Sequence, residues 1–313
     1  MKTVHFKEYG GSKVLEIEDV TLAEPEPNQI LVEVHASALN PFDAKLLAGV
    51  YKDNMPLDLP ATPGGDFAGK VVKAGSDVKK LRSGEDVYGS AMVFGGGTGA
   101  FAEMALVKAS HAAPMPKSVD YEEAAASVLV GVSAIQALEE HMELETGQKI
   151  LIHGGAGGIG HMAVQLAKSM GAYVAATASR DDAEYLNQLG ADQVIDYKTE
   201  AFEDIAEDFD AVYDTVGGKV TEKSLTVLKK GGILVSMAGK PDEEKAAKQG
   251  LRTVGQFTRV NRKRMDRLAE LINDKKIKVR IDRVFPLDKI KEALDYQTEG
   301  HPRSKVVLKI LSR

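Results

Sequence analysis

The stretch Lys149-Ile150-Leu151-Ile152-His153-Gly154-Gly155-Ala156-Gly157-Gly158-Ile159-Gly160 decides how the rest of the chain is read. Its first five residues form a short apolar run stopped by glycine, the pattern of a buried strand. Beyond it Ile159, Met162, Ala163, Leu166, Ala167 and Met170 recur at helical spacing. Gly155, Gly157 and Gly160 thus carry G-x-G-x-x-G spacing at a strand-to-helix turn, the context that makes such spacing informative. Glycine there permits a tight turn, close approach of a pyrophosphate, and packing of helix on strand. The helix N-terminus adds free N–H groups and a positive dipole. Gly155, Ala156, Gly157, Gly158, Ile159 and Gly160 are therefore the candidate dinucleotide site.

Outward from this turn, strand and helix alternate. Tyr173–Thr177, Val194-Ile195, Ala211–Tyr213 and Ile233–Met237 read as strands, and Ala183, Leu186 and Leu189 mark a helix. Such alternation predicts an α/β unit, a doubly wound parallel sheet with helices on both faces. Residues 1 to about 126 read differently: Ile30, Val32 and Val34 alternate, and turns recur at Asn40-Pro41, Pro63-Gly64-Gly65 and Ser83-Gly84. Short strands between frequent turns predict a compact, barrel-like β domain. A second glycine cluster, Gly95–Gly99, precedes a strand-like run, so it reads as a turn between strands. From about residue 261 the alternation breaks again, with helices around Leu268 and Leu294 and strands at 279–285 and 306–310.

Composition narrows the function classes. Hydrophobic residues make up 43% of the 313, enough for a substantial core, and 40 basic against 46 acidic residues leave a net charge of -6. That balance points away from nucleic acid and anionic membranes as partners. The N-terminal residues lack the apolar core of a signal peptide, which predicts a cytoplasmic protein. The chain has no cysteine, hence no disulfide, thiol nucleophile or thiolate metal ligand. None of its seven histidines pairs at helical spacing, and His153 and His161 only flank the glycine loop. No metal site is expected, and His35, His111 and His301 read as scaffold residues.

The end of the second parallel strand separates NADH from NADPH. An NADH site carries Asp or Glu there, on the ribose 2′-hydroxyl. Thr177 holds that position here, followed by Ser179-Arg180. A hydroxyl and a guanidinium bind a 2′-phosphate that a carboxylate would repel, and one charge-assisted bond contributes about 1.5–3 kcal/mol. NADPH is the expected cofactor. The alternative for Arg180 is a solvated residue opening a helix.

Over essentially its whole length the chain resembles the zinc-free quinone oxidoreductases of the medium-chain dehydrogenase/reductase superfamily. The resemblance rests on Ala38-Leu39-Asn40-Pro41-Phe42-Asp43-Ala44-Lys45, Pro63-Gly64-Gly65-Asp66-Phe67-Ala68-Gly69, Gly99–Glu103, His153–Gly160, Val194-Ile195-Asp196-Tyr197 and Ser304–Leu308. Where zinc-dependent relatives carry a cysteine ligand, Asn40 stands, and their Gly-His-Glu is Gly64-Gly65-Asp66 here. The resemblance implies a GroES-like β-barrel catalytic domain at 1–126, a Rossmann domain inserted at 127–260, and a return to the catalytic domain at 261–313. It implies that Asn40 contacts the cofactor near the nicotinamide ribose and Tyr197 lies beside the 2′-phosphate. It also implies that Tyr51 and Lys45 face the reacting oxygen as hydrogen-bond donors, the alternatives being a wall residue and a solvated helix lysine.

The implied activity is metal-free reduction of a quinone or an α,β-unsaturated carbonyl compound by NADPH. An enoyl-thioester or alkenal reductase and a cofactor-binding protein with little turnover are the alternatives. Gly250–Val260 looks like the last strand of the Rossmann sheet, with no proline and neither face polar throughout. Such an edge must be covered or paired. Relatives pair it across a two-fold axis, so a homodimer is expected, weakened by proline at Val254.

Overall fold

The computed structural model describes residues 1–300 and 302–311, so His301 lies outside the described residues. The chain divides into two compact units, one of residues 1–129, 260–274 and Val279 onward, the other of residues 130–259 and 275–278.

In the first unit β1 (Lys2–Phe6) pairs antiparallel with β2 (Leu15–Asp19). The ten-residue β3 (Gln29–Ala38) organises the larger sheet. β4 (Asp66–Ala74) pairs along one side of it, β5 (Asp86–Ser90) continues from β4, and β6 (Met104–Lys108) pairs the first half of β3 on its other side. β7 (Ala112–Pro114) extends the sheet from β5. Ile30, Val32 and Val34 are fully buried, as their alternation predicts, packing with Phe67, Val71, Val87 and Val107. Between β3 and β4 lies a short helix, α1 (Pro41–Leu47). The second glycine cluster forms a turn between β5 and β6 with no α-helix after it. A longer helix, α2 (Tyr121–Ile135), starts with Glu122 and Glu123 in its first turn, where acidic side chains favour the helix dipole.

The second unit is the alternating one. Its elements are β8 (Lys149–His153), α3 (Gly158–Ser169), β9 (Tyr173–Ala178), α4 (Ala183–Gln188), β10 (Gln193–Asp196) and α5 (Phe202–Ile205), then β11 (Phe209–Asp214), α6 (Lys219–Ser224), β12 (Leu228–Ser236), α7 (Glu243–Lys248) and β13 (Arg252–Gly255). The strands run parallel in the order β10-β9-β8-β11-β12-β13. From β8 the chain winds outward through β9 to β10, then returns to the other side of β8 with β11. That reversal opens a crevice outside the carboxyl ends of β8 and β11, where open parallel sheets bind ligands. Ile150, Leu151 and Ile152 are fully buried, each at 0% solvent exposure, and burial of such a side chain contributes roughly 1.5–3 kcal/mol.

The last strand is shorter than the sequence suggests. β13 stops at Gly255, because the Gln136 side chain takes over the backbone that follows: its Nε2 donates to Phe257 O (3.1 Å) and its Oε1 accepts from Arg259 N (3.0 Å). The chain then returns through α8 (Arg262–Asn273), β14 (Ile281–Pro286), α9 (Ile290–Glu299) and β15 (Lys305–Lys309). β15 pairs antiparallel with the second half of β3 and parallel with β14.

Candidate functional site

The glycine turn joins β8 to α3 as predicted, with its parts displaced by one residue. The positive φ falls at Gly154 (+70°), not at Gly155. Gly155 is needed for packing instead, since a Cβ there would lie 2.9 Å from Ala176 Cβ. A Cβ on Gly160 would come within 2.1 Å of Gly154 O, so only glycine lets the helix start this close to the strand. At Gly157 the added Cβ would meet only Gly154 O, at 3.2 Å. This open side faces the first turn of a twelve-residue helix, whose opening N–H groups have no intrahelical partner. The cradle fits an anionic pyrophosphate.

Thr177 does not serve the 2′-phosphate as the sequence suggests. Its hydroxyl is buried under the turn, accepting from Gly154 N (3.2 Å) and lying 3.2 Å from His153 Nδ1. Ser179 and Arg180 follow the strand end; Arg180 is exposed, and Ser179 Oγ donates to Asp182 Oδ2 (2.7 Å). Tyr197 N donates to Ala178 O (3.2 Å), which brings Tyr197 beside them, its side chain 61% exposed. Lys198 adds a cation that sequence reasoning passed over, its Nζ 6.0 Å from the Tyr197 ring centroid. Its adjacency to Tyr197 in sequence was the available signal. The other rim of the crevice is also new: Asp214 Oδ1 accepts from Val216 N and Gly217 N (both 2.9 Å), shaping the turn after β11.

In the first unit Asn40 opens α1. Its N–H donates to Asp43 Oδ2 (2.8 Å), a reciprocal cap three residues on, and Pro41 takes the first helical position. Asn40 Nδ2 donates to Asp66 Oδ2 (2.8 Å), and Asn40 Oδ1 accepts from Lys305 Nζ (2.5 Å), which also donates to Leu39 O (2.8 Å). All four side chains are buried. Lys305 is the residue that sequence reasoning missed, because it is 265 positions from Asn40. Burial pushes the Asp43 carboxyl up to about 7, with the Asp66 charge adding to the effect, while N–H bonds from Asn40 and Gly64 and the Lys305 charge oppose it. Burial also raises Asp66 and lowers Lys305, and their mutual attraction opposes both shifts. Lys305 Nζ lies 3.8 Å from Asp66 Oδ2 and acts on Asp43 only through its charge, so the ammonium offsets the burial of both carboxyls.

Tyr51 stacks on Phe42 with ring centroids 5.0 Å apart, and Phe42 meets Phe94 edge-on at 6.4 Å. Lys45 is exposed on the same short helix as Phe42. The positions that correspond to zinc ligands do not fit that ion. Asn40 and Asp66 already surround an ammonium, which repels a dication, and Gly65 has no side chain to offer. Among the described residues no cluster of three or more His, Asp or Glu could hold a metal ion.

Residues 26–117 match the family model described as "Alcohol dehydrogenase GroES-like domain", and residues 189–308 the one described as "Zinc-binding dehydrogenase". The chain is 37% identical to the 2-methylene-furan-3-one reductase of Solanum lycopersicum, over 98% of its own length and 79% of that protein's. It is 35% identical to the chloroplastic NADPH-dependent alkenal/one oxidoreductase of Arabidopsis thaliana, over 98% and 79%. Its structure superposes on the quinone oxidoreductase of Coxiella burnetii with a TM-score of 0.90 and 34% identity, covering 99% of both chains. The chain belongs to the quinone oxidoreductase-like members of the medium-chain dehydrogenase/reductase superfamily.

Proposed function

We propose that this protein is an NADPH-dependent reductase of quinones or α,β-unsaturated carbonyl compounds that works without a metal. The carrying observation is the glycine turn, open at Gly157 before the first turn of a twelve-residue helix in a sheet of Rossmann order. The acceptor class follows from the names of its relatives, an alkenal/one oxidoreductase and a furanone reductase. When bound, NADPH supplies a hydride to an acceptor carbon made electrophilic through conjugation. The amides of Ala156, Gly158, Ile159 and Gly160 would hold the pyrophosphate, while those of Gly155 and Gly157 shape the turn by donating to Thr177 O (2.9 Å) and Gly154 O (3.0 Å). Ser179, Arg180 and Tyr197, with Lys198, receive the 2′-phosphate.

Asn40, held by Lys305 and Asp66, is the residue we assign to the nicotinamide ribose. Tyr51 and Lys45 present protons to the oxygen that gains charge as hydride adds, a type of stabilisation worth about 3 kcal/mol per well-placed donor. The assembly we propose is a cytoplasmic homodimer. Among the described residues no helix is long and apolar enough to cross a membrane. NADPH consumption with a quinone, an enone and an enoyl thioester tests the activity, repeated after exhaustive chelation. Turnover of the first two that survives chelation supports the proposal. Turnover of the thioester alone moves the acceptor class, and no turnover with any of them leaves a binding protein.

A further inference from the structure

The hydrogen bonds around His153 fix the direction of each proton. Ser224 Oγ–H donates to Val220 O (2.7 Å), so the same oxygen accepts from His153 Nε2–H (3.0 Å). With its proton on Nε2, the ring leaves Nδ1 bare to accept from Thr177 Oγ1–H (3.2 Å). Thr177 Oγ1 in turn accepts from Gly154 N–H (3.2 Å), and Thr215 Oγ1 donates to His153 O (2.7 Å). His153 is 1% exposed, and burial holds its imidazole down to about 4, with Asp214 and Glu203 opposing. The ring is neutral. One end of this chain is the residue that turns the glycine loop; the other is the last residue of α6, which follows the Gly217-Gly218 turn after β11. The chain of bonds runs under the crevice from one wall to the other.

We propose that His153, as its Nε2–H tautomer, is a positioning residue that ties the glycine turn to α6 and holds the turn in the shape that receives a pyrophosphate. The proposal rests on reading that turn as the cofactor site. A histidine that only fills space against Phe202, whose ring it meets edge-on at 4.4 Å, would need no fixed tautomer.

Nitrogen-15 NMR of the full-length protein labelled at histidine reads the tautomer directly. The expected signature is a bare Nδ1 and a protonated Nε2 at neutral pH; the opposite tautomer overturns the proposal. His153→Phe keeps the ring and its contact with Phe202 but breaks both hydrogen bonds. His153→Asn places an amide oxygen near Nδ1 and restores the bond to Thr177. The NADPH dissociation constant should rise about tenfold in H153F, as loss of a buried hydrogen bond predicts, and recover only in part in H153N, which still lacks the bond to Ser224. The acceptor KM should stay unchanged while exchange of the Gly154 amide accelerates. Should H153F not fold, Thr177→Val cuts the same chain at the turn and carries the same expectations. Unchanged NADPH affinity together with unchanged Gly154 exchange overturns the proposal. If the wild-type protein binds no NADPH, the cofactor reading fails by itself, and tautomer and amide exchange alone decide the role of His153.

Discussion

At Asp43 the fold keeps a carboxyl away from water, and stability must then depend on pH. The folded protein holds the Asp43 proton up to about pH 7, whereas an ordinary aspartate releases it near 3.8. Between those values the folded state binds the extra proton, so stability is highest below them and falls as pH rises through the window. The difference is on the order of 4 kcal/mol. Asp43→Asn keeps an acceptor for the Asn40 N–H and has no charge to bury. The variant should be more stable than wild type at about pH 8, with a flatter dependence of the urea midpoint on pH. Identical slopes for the two proteins would show that Asp43 is not the titrating group. Arg180 is a different case: it is exposed and contributes little to the fold. Arg180→Ala should weaken NADPH binding about tenfold and leave NADH almost unchanged, the loss expected for one charge-assisted bond. Fluorescence titration checks this, and equal wild-type affinities for both cofactors would remove the basis for an NADPH site at Ser179, Arg180 and Tyr197.

The turn between β8 and α3 depends on atoms too close for any side chain. Gly160→Ala would drive a Cβ into Gly154 O, at 2.1 Å, so the helix start must retreat from the strand. The variant should unfold several degrees lower and lose most of its NADPH affinity, whereas Gly157→Ala should lose affinity with little change in melting temperature. Calorimetry beside the binding titration separates the two, and a Gly160→Ala protein of wild-type melting temperature would contradict the close approach. This element was legible in the sequence because its signal is local: an apolar run, a glycine spacing and a helical period within about twenty residues. The bonds that complete it were not. Thr177 lies 24 positions from His153 and Ser224 lies 71 away, and nothing local tells which way a threonine hydroxyl turns. Thr177 consequently read as a phosphate ligand when it is a brace. Asn40 was named from resemblance alone, and its partner Lys305 comes from the last strand of the chain, a pairing that the sheet order β15-β3-β4 creates.

For the whole molecule, the open question of assembly comes down to the outer edge of β13. Four residues long, it pairs only with β12 among the described residues, and Phe257 just beyond it is 60% exposed. An unpaired edge next to an exposed aromatic ring favours closure by a second copy across a two-fold axis, which is the homodimer we propose. The strand's hydrogen bonds show where to test it. Gln256 N donates to Ser236 O (2.8 Å), so by the two-residue alternation of a strand Val254 also directs its N–H into β12. Proline at Val254, the substitution that the sequence suggests, would therefore damage the sheet itself. Thr253 and Gly255 direct their N–H groups toward the free edge. Thr253→Pro removes one outward donor per protomer and leaves the ladder to β12 intact, the position at which edge strands accept proline. Because the axis repeats the loss, the dimer should weaken by two hydrogen bonds, about thirtyfold in dissociation constant. Light scattering of the wild type should give twice the 33.6 kDa of one chain, and dilution should dissociate T253P at higher concentration than wild type. A wild-type mass of 33.6 kDa at micromolar concentration rejects the dimer. A dimer that T253P leaves unchanged places the interface elsewhere on the molecule.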